Sequence, residues 1–147
     1  MHRRTFLAAA ALAVVSARAY AAPETIEVFK SPTCGCCNDW IKHLLVNGFA
    51  VKAIDVREPG EYRRRFGLPD DYGSCHTARV AGYVIEGHVP ARDIRRLLKE
   101  KPKALGLAVP GMPVGSPGME QGNRVDPYEV LLVAHNGQPA VYARYGK

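Results

Sequence analysis

The feature that most constrains this chain is a change of hydrophobic period within a few residues. "TIEVFK" (25–30) sets apolar Ile26 and Val28 on either side of Glu27, the two-residue alternation of a strand. Ser31, Pro32 and Thr33 break that run. From Cys34 the residues Cys37, Trp40, Ile41, Leu44 and Leu45 recur every three or four positions, the period of a helix, and Asn47-Gly48 supplies its stop. "FAVKAIDV" (49–56) then alternates again. A strand, one helix and a second strand predict a parallel pair with a right-handed crossover, because an antiparallel pair needs only a tight turn.

The rest of the chain extends this unit. Residues 58–67 predict a short basic helix ended by Gly67 and Pro69, followed by a turn-rich loop over 70–76. "TARVAGYVIEGHVP" reads as two short strands joined around Ala81 and Gly82. "PARDIRRLLKEKP" gives a helix with Pro90 near its first turn and Ile94, Leu97 and Leu98 on one face. The order β-α-β-α-β-β-α is that of a thioredoxin-like α/β domain, placed here at residues 22–107. Beyond it, "VPGMPVGSPGMEQGN" (109–123) carries three prolines and four glycines and admits no regular element. Two strand-like runs around His135, Asn136 and Gly137 follow, where Asn-Gly signals a hairpin. Residues 108–147 therefore read as a C-terminal extension, a loop plus β-hairpin packed on the same domain. A loop of that length is commonly functional or disordered.

The first 21 residues read as a signal peptide. They combine a basic start, an apolar run from Phe6 to Val15, and small Ala19 and Ala21 at a cleavage site. The run falls well short of the roughly 20 residues that cross a bilayer, so no membrane anchor is expected. Arg3-Arg4 before "TFLA", with Arg18 near the cleavage site, also fits a twin-arginine export signal. Either route ends outside the bacterial cytoplasm, and a periplasmic location is expected. Removing the leader takes three arginines from a chain of net charge +6, leaving 17 basic against 14 acidic side chains. That mild excess, with "RRR" at 63–65 and "RR" at 95–96 read as solvated helix faces without aromatic platforms, argues against a nucleic-acid partner.

Three of the four cysteines, Cys34, Cys36 and Cys37, fall within four positions, and Cys75 stands apart. Cys34 and Cys37 sit where a strand passes into a helix. There the positive helix end lowers a thiol from about 8.5 into a range of roughly 3.5–7.5, so a redox pair is one reading. Cys36 has no necessary role in it. Nor do neighbouring cysteines readily pair, since a disulfide prefers a Cα separation of about 5.5–6 Å and adjacent residues are about 3.8 Å apart. Crowded thiolates repel unless a cation lies between them, and sulfur ligands favour Cu(I), zinc or iron–sulfur centres. Cys75 is placed to reach the same helix tip as a fourth ligand, with His76 a weaker candidate.

Met112 and Met119 lie in the proline- and glycine-rich loop rather than on an apolar helix face. Thioether suits Cu(I) and not zinc, so both are candidate ligands, the alternative being that they fill gaps beneath the loop. His88, at a strand end before a helix, is a candidate ligand or a structural residue. His43 lies seven residues past Cys36, about 10 Å along the helix axis, and cannot share that site. His135 reads as a turn residue, Trp40 as core, and Glu86 as a local cap or pair. No serine–histidine–aspartate set, phosphate-cradling loop or paired carboxylates argue for a hydrolase.

Taken together, "SPTCGCC", "SCHTA", "GYVIEGHVPA" and "GLAVPGMPVGSPGME" resemble the CopG-like periplasmic copper-resistance proteins, a metal-binding family long filed under a domain of unknown function. The resemblance spans nearly all of the chain after the leader. It implies a thioredoxin-like domain with an added C-terminal segment, copper held by Cys34, Cys36, Cys37 and Cys75, and the "PGM" loop closing over the metal. It also implies copper, or silver, tolerance through handling of Cu(I) and Cu(II) before efflux, with periplasmic efflux or chaperone proteins as partners. "SCHTARV" stands where a thioredoxin carries a cis-proline facing its cysteine pair. Three functions are thus in view: a copper-binding protein with Cu(I)/Cu(II) interconversion, a thiol–disulfide oxidoreductase using Cys34 and Cys37, and a structural zinc protein.

Overall fold

Residues 24–147 are described by a computed structural model, and the leader read above lies outside them. β1 (Thr25–Lys30) passes through Ser31–Thr33 into α1 (Gly35–Val46), and β2 (Ala50–Asp55) returns parallel to β1 in the register Val28 to Ala53. α2 (Pro59–Arg65) and a 3-10 turn (Asp70–Tyr72) lead to β3 (His76–Val80) and β4 (Tyr83–Glu86), an antiparallel pair. Their turn uses Ala81 and Gly82, both at positive φ, the pairing that matches the twist of a tight hairpin. α3 (Ala91–Glu100), β5 (Gly106–Ala108), β6 (Tyr128–Val133) and β7 (Pro139–Tyr145) complete a seven-stranded mixed sheet of order β2-β1-β3-β4-β5-β6-β7. The fold is α/β and thioredoxin-like, with the β6–β7 hairpin carrying the sheet outward.

Helix boundaries follow the residue chemistry. α1 ends where the Asn47 N–H returns to the His43 carbonyl and Gly48 takes a φ of 82°. Its buried side is Cys37, Trp40 and Leu44, which meets Ile26, Val28, Ile85, Ile94 and Leu97 in one core. Each such aliphatic side chain contributes about 1.5–3 kcal/mol through burial. Leu45, expected on that side, is 51% exposed, because the core-facing stripe is narrower than the apolar one in the sequence.

Two further expectations change. β5 was not legible, having three residues and no alternation; it pairs parallel with β4 and antiparallel with β6, so the sheet runs unbroken across residue 108. Gly106 is required there, since a Cβ would lie 1.8 Å from the Val84 carbonyl oxygen. The "RRR" run is also not uniformly solvated. The Arg63 side chain is only 12% exposed and bridges Asp70 at 2.8 Å and fully buried Glu86 at 3.2 Å. No helix among the described residues is long and apolar enough to cross a membrane.

Candidate metal centre

The turn after β1 delivers three cysteines to the first turn of α1, and the loop before β3 brings Cys75 against them. Cys34 and Cys37 are joined as a disulfide, leaving Cys36 and Cys75 free. Cys75 Sγ lies 3.6 Å from Cys37 Sγ and 3.7 Å from Cys36 Sγ, and Cys36 Sγ lies 3.6 Å from Cys34 Sγ. All four sulfurs fall within 4.8 Å of one another.

Cys75 has a second set of neighbours. His76 Nδ1 approaches its sulfur at 3.3 Å and His88 Nε2 at 3.2 Å. The other nitrogen of each ring is held by a backbone carbonyl: His76 Nε2–H donates to Gly87 O at 3.0 Å, and His88 Nδ1–H donates to Pro117 O at 2.8 Å. A carbonyl can only accept, so each ring carries its proton on the far side and presents a lone pair to the sulfur. Burial reinforces this. It pushes His76 down to about 3 and lowers His88, so both rings are neutral at neutral pH and ready to ligate. His76 is fully buried, with its ring 4.4 Å from that of Trp40, whose indole N–H donates to Val89 O.

The loop carrying Cys75 is held from below by Glu86, which the sequence marked only as a local cap or pair. Its buried carboxylate accepts the Ser74 N–H at 2.7 Å, the Thr77 hydroxyl at 2.6 Å and Arg63 Nη1 at 3.2 Å. Burial raises its pKa, while these donors and the guanidinium oppose the rise. Burial, then the neighbouring Cys36, pushes the Cys75 thiol up to about 12. Without a cation, Cys75 therefore keeps its proton, and one S–H cannot satisfy two imidazole lone pairs and the surrounding sulfurs. A metal ion would reverse that preference by taking the place of the proton.

The C-terminal loop reaches the same end of the molecule. Gly118 packs so tightly on α1 that a Cβ would stand 2.7 Å from Trp40 N and 2.8 Å from Cys36 O. Met119 is the next residue and is half-buried. Met112 is 52% exposed and follows Gly111, whose N–H donates to Gly73 O and whose carbonyl accepts the Ser74 hydroxyl. Of the expected ligands, Cys34, Cys36, Cys37, Cys75 and His88 thus converge, and both methionines belong to segments tied to the cysteine-bearing elements. His76 joins them more closely than its place as a weaker candidate suggested. His43 lies apart, accepting the Ala91 N–H at the start of α3.

Residues 72–119 match the family described as "Protein of unknown function, DUF411". Two solved structures, described as copper resistance protein CopG in form 2 and form 1, superpose with TM-scores of 0.81 at 48% sequence identity. The matches cover 84% and 85% of this chain and 99% of each of theirs. This chain belongs to the CopG-like copper-resistance family. No curated protein matches it. Family membership and the four-cysteine cluster together make this a copper-resistance protein with a metal-binding centre. Within the family match, residues 72–119 include Cys75, His76, His88 and both methionines of the loop, while Cys34, Cys36 and Cys37 lie upstream of it.

Proposed function

We propose that the chain is exported to the periplasm and there binds Cu(I) through Cys34, Cys36, Cys37 and Cys75, interconverts Cu(I) and Cu(II), and passes copper to efflux or chaperone proteins. One observation carries this reading: the Cys75 sulfur lies within 4.8 Å of three other sulfurs, all of them thiols once the Cys34–Cys37 bond is reduced, and meets two imidazole lone pairs. Thiolates are the donors that select Cu(I), and imidazole extends the set toward Cu(II). Copper is the cargo, and the residues have separable tasks. Cys75 bridges the two donor groups, Glu86 fixes its loop, and the Gly87 and Pro117 carbonyls orient the imidazoles. His88 is the imidazole ligand in this reading, and Met112 and Met119 are the thioether donors that the loop would add, because thioether suits Cu(I).

The test is an anaerobic Cu(I) titration of the reduced protein, residues 22–147, against a competing chelator, repeated with Met112 and Met119 both changed to Leu. Tight Cu(I) binding is expected in the parent, with a loss in the double variant. A preparation holding stoichiometric zinc and ignoring offered Cu(I) would replace this reading with a structural zinc site, for which four sulfurs also suffice. The Cys34–Cys37 bond favours one further reading, a thiol–disulfide oxidoreductase. Cys36→Ser separates the two: a dithiol enzyme keeps its insulin-reducing activity, whereas a copper site loses stoichiometry or affinity.

A further inference from the structure

With Cys34 and Cys37 joined, two thiols remain, and they face each other. Cys36 Sγ and Cys75 Sγ are 3.7 Å apart and both residues are half-buried. Cys36 does not readily pair with Cys37, its chain neighbour, for want of Cα separation, and Cys37 is already bonded to Cys34. Its other sulfur contact, Cys34 at 3.6 Å, is already bonded. Cys75 is in the same position, since its other sulfur contact is bonded Cys37. To bond, the two sulfurs have to close from 3.7 Å to about 2.0 Å.

We infer that Cys36 and Cys75 are a second redox pair, a two-electron donor that reduces two Cu(II) ions to Cu(I). The step balances within the site. Each thiol gives up one proton and one electron, the two sulfurs form a Cys36–Cys75 disulfide, and two Cu(II) ions leave as two Cu(I). The inference rests on copper being the cargo of this centre and adds the source of the electrons. It also gives the centre three sulfur states: four thiols, one disulfide beside two thiols, and two disulfides. The last offers no thiolate to a metal, so completing the reaction releases the Cu(I) it makes. A thiol reductant of the same compartment, by exchange at Cys36 or Cys75, restores the pair.

The experiment begins with anaerobic protein that carries the Cys34–Cys37 bond and two titratable thiols. Cu(II) is added stepwise with a chromogenic Cu(I) chelator present. The expected result is two Cu(I) per chain and a thiol count falling from two to none. After acid quenching and alkylation, fragment sequencing should place the new link between Cys36 and Cys75 of one chain. Copper remaining divalent overturns the inference, as does a link between chains or one that engages Cys34 or Cys37. A Cys34→Ser, Cys37→Ser double variant, which leaves only this pair, should give the same two Cu(I) and the same link; neither would overturn it. Cu(I) titration of the fully reduced parent separates the two claims. If Cu(I) binds but Cu(II) is not reduced, only the present inference falls. If the link forms while Cu(I) is refused, the copper-binding reading falls and the pair stands as thiol chemistry.

Discussion

The helix-tip half of the centre, Cys34 to Cys37, and the hairpin half, Cys75 to His88, arrive within a few ångströms of each other by opposite means. The first is local: three cysteines in four residues, placed by one strand-to-helix junction. The second is assembled across the fold. Cys75 depends on Glu86 eleven residues later and through it on Arg63, and His88 depends on the Pro117 carbonyl. A local half tolerates loss of distant contacts, whereas an assembled half inherits the stability of everything that holds it. The hairpin half is therefore where the centre should fail first.

Acid should show this most strongly. His76 has a folded-state pKa depressed to about 3 by burial, so the stability it contributes is present above about 6.5 and is lost as pH falls toward 3. The full span is on the order of 5 kcal/mol. Glu86 works in the opposite sense, since its raised pKa lets the folded state take up a proton first and recovers part of the loss at lower pH. Stability of the metal-free protein to urea should thus weaken as pH falls below about 6.5, the slope growing as the unfolded-state imidazole becomes fully protonated. A flat profile there would mean the hairpin half is no more fragile than the helix tip.

Next in size is Arg63→Met, which strands the Glu86 carboxylate in the interior. A loss of about 3 kcal/mol in urea or thermal unfolding is expected, the usual scale for breaking a buried pair. Cys75→Ser removes the atom common to both donor groups. Cu(I) affinity should fall by at least the roughly 100-fold at the upper end for an outer-shell partner, and by more than for Cys34→Ser. Equal losses would make the two halves equivalent. Gly118→Ala sets a methyl group against the α1 backbone from a residue at a φ of 86°, and should cost about 1–3 kcal/mol as measured by urea unfolding. The smallest effects belong to the loop sulfurs. Met112→Leu and Met119→Leu singly should each change Cu(I) affinity by less than about tenfold and leave stability within about 1.5 kcal/mol.

The same contrast explains what the sequence alone conveys. The β1–α1–β2 unit, the α1 stop at Asn47-Gly48 and the cysteine cluster were legible because each depends on residues adjacent in sequence. The sequence offers Cys75 and His88 as ligand candidates, but their meeting requires the register that sets Thr77 beside Glu86. His76 stands out less in the sequence than in the fold, since nothing in "SCHTA" reveals that its far nitrogen meets a Gly87 carbonyl. Arg63 is chemically the same as Arg64 and Arg65, and only the position of Glu86 selects which of them turns inward. β5 had no periodic signal because its neighbours on both sides, rather than its own alternation, make it a strand.

The carbonyl-held imidazoles also set the thermochemistry of loading. Both rings already carry their single proton on the nitrogen turned away from the centre, so neither has to release one when an ion arrives. Every hydrogen ion liberated into the medium must then come from a sulfhydryl. Calorimetry repeated in buffers of different ionisation enthalpy would consequently count participating cysteines directly, with the histidines silent.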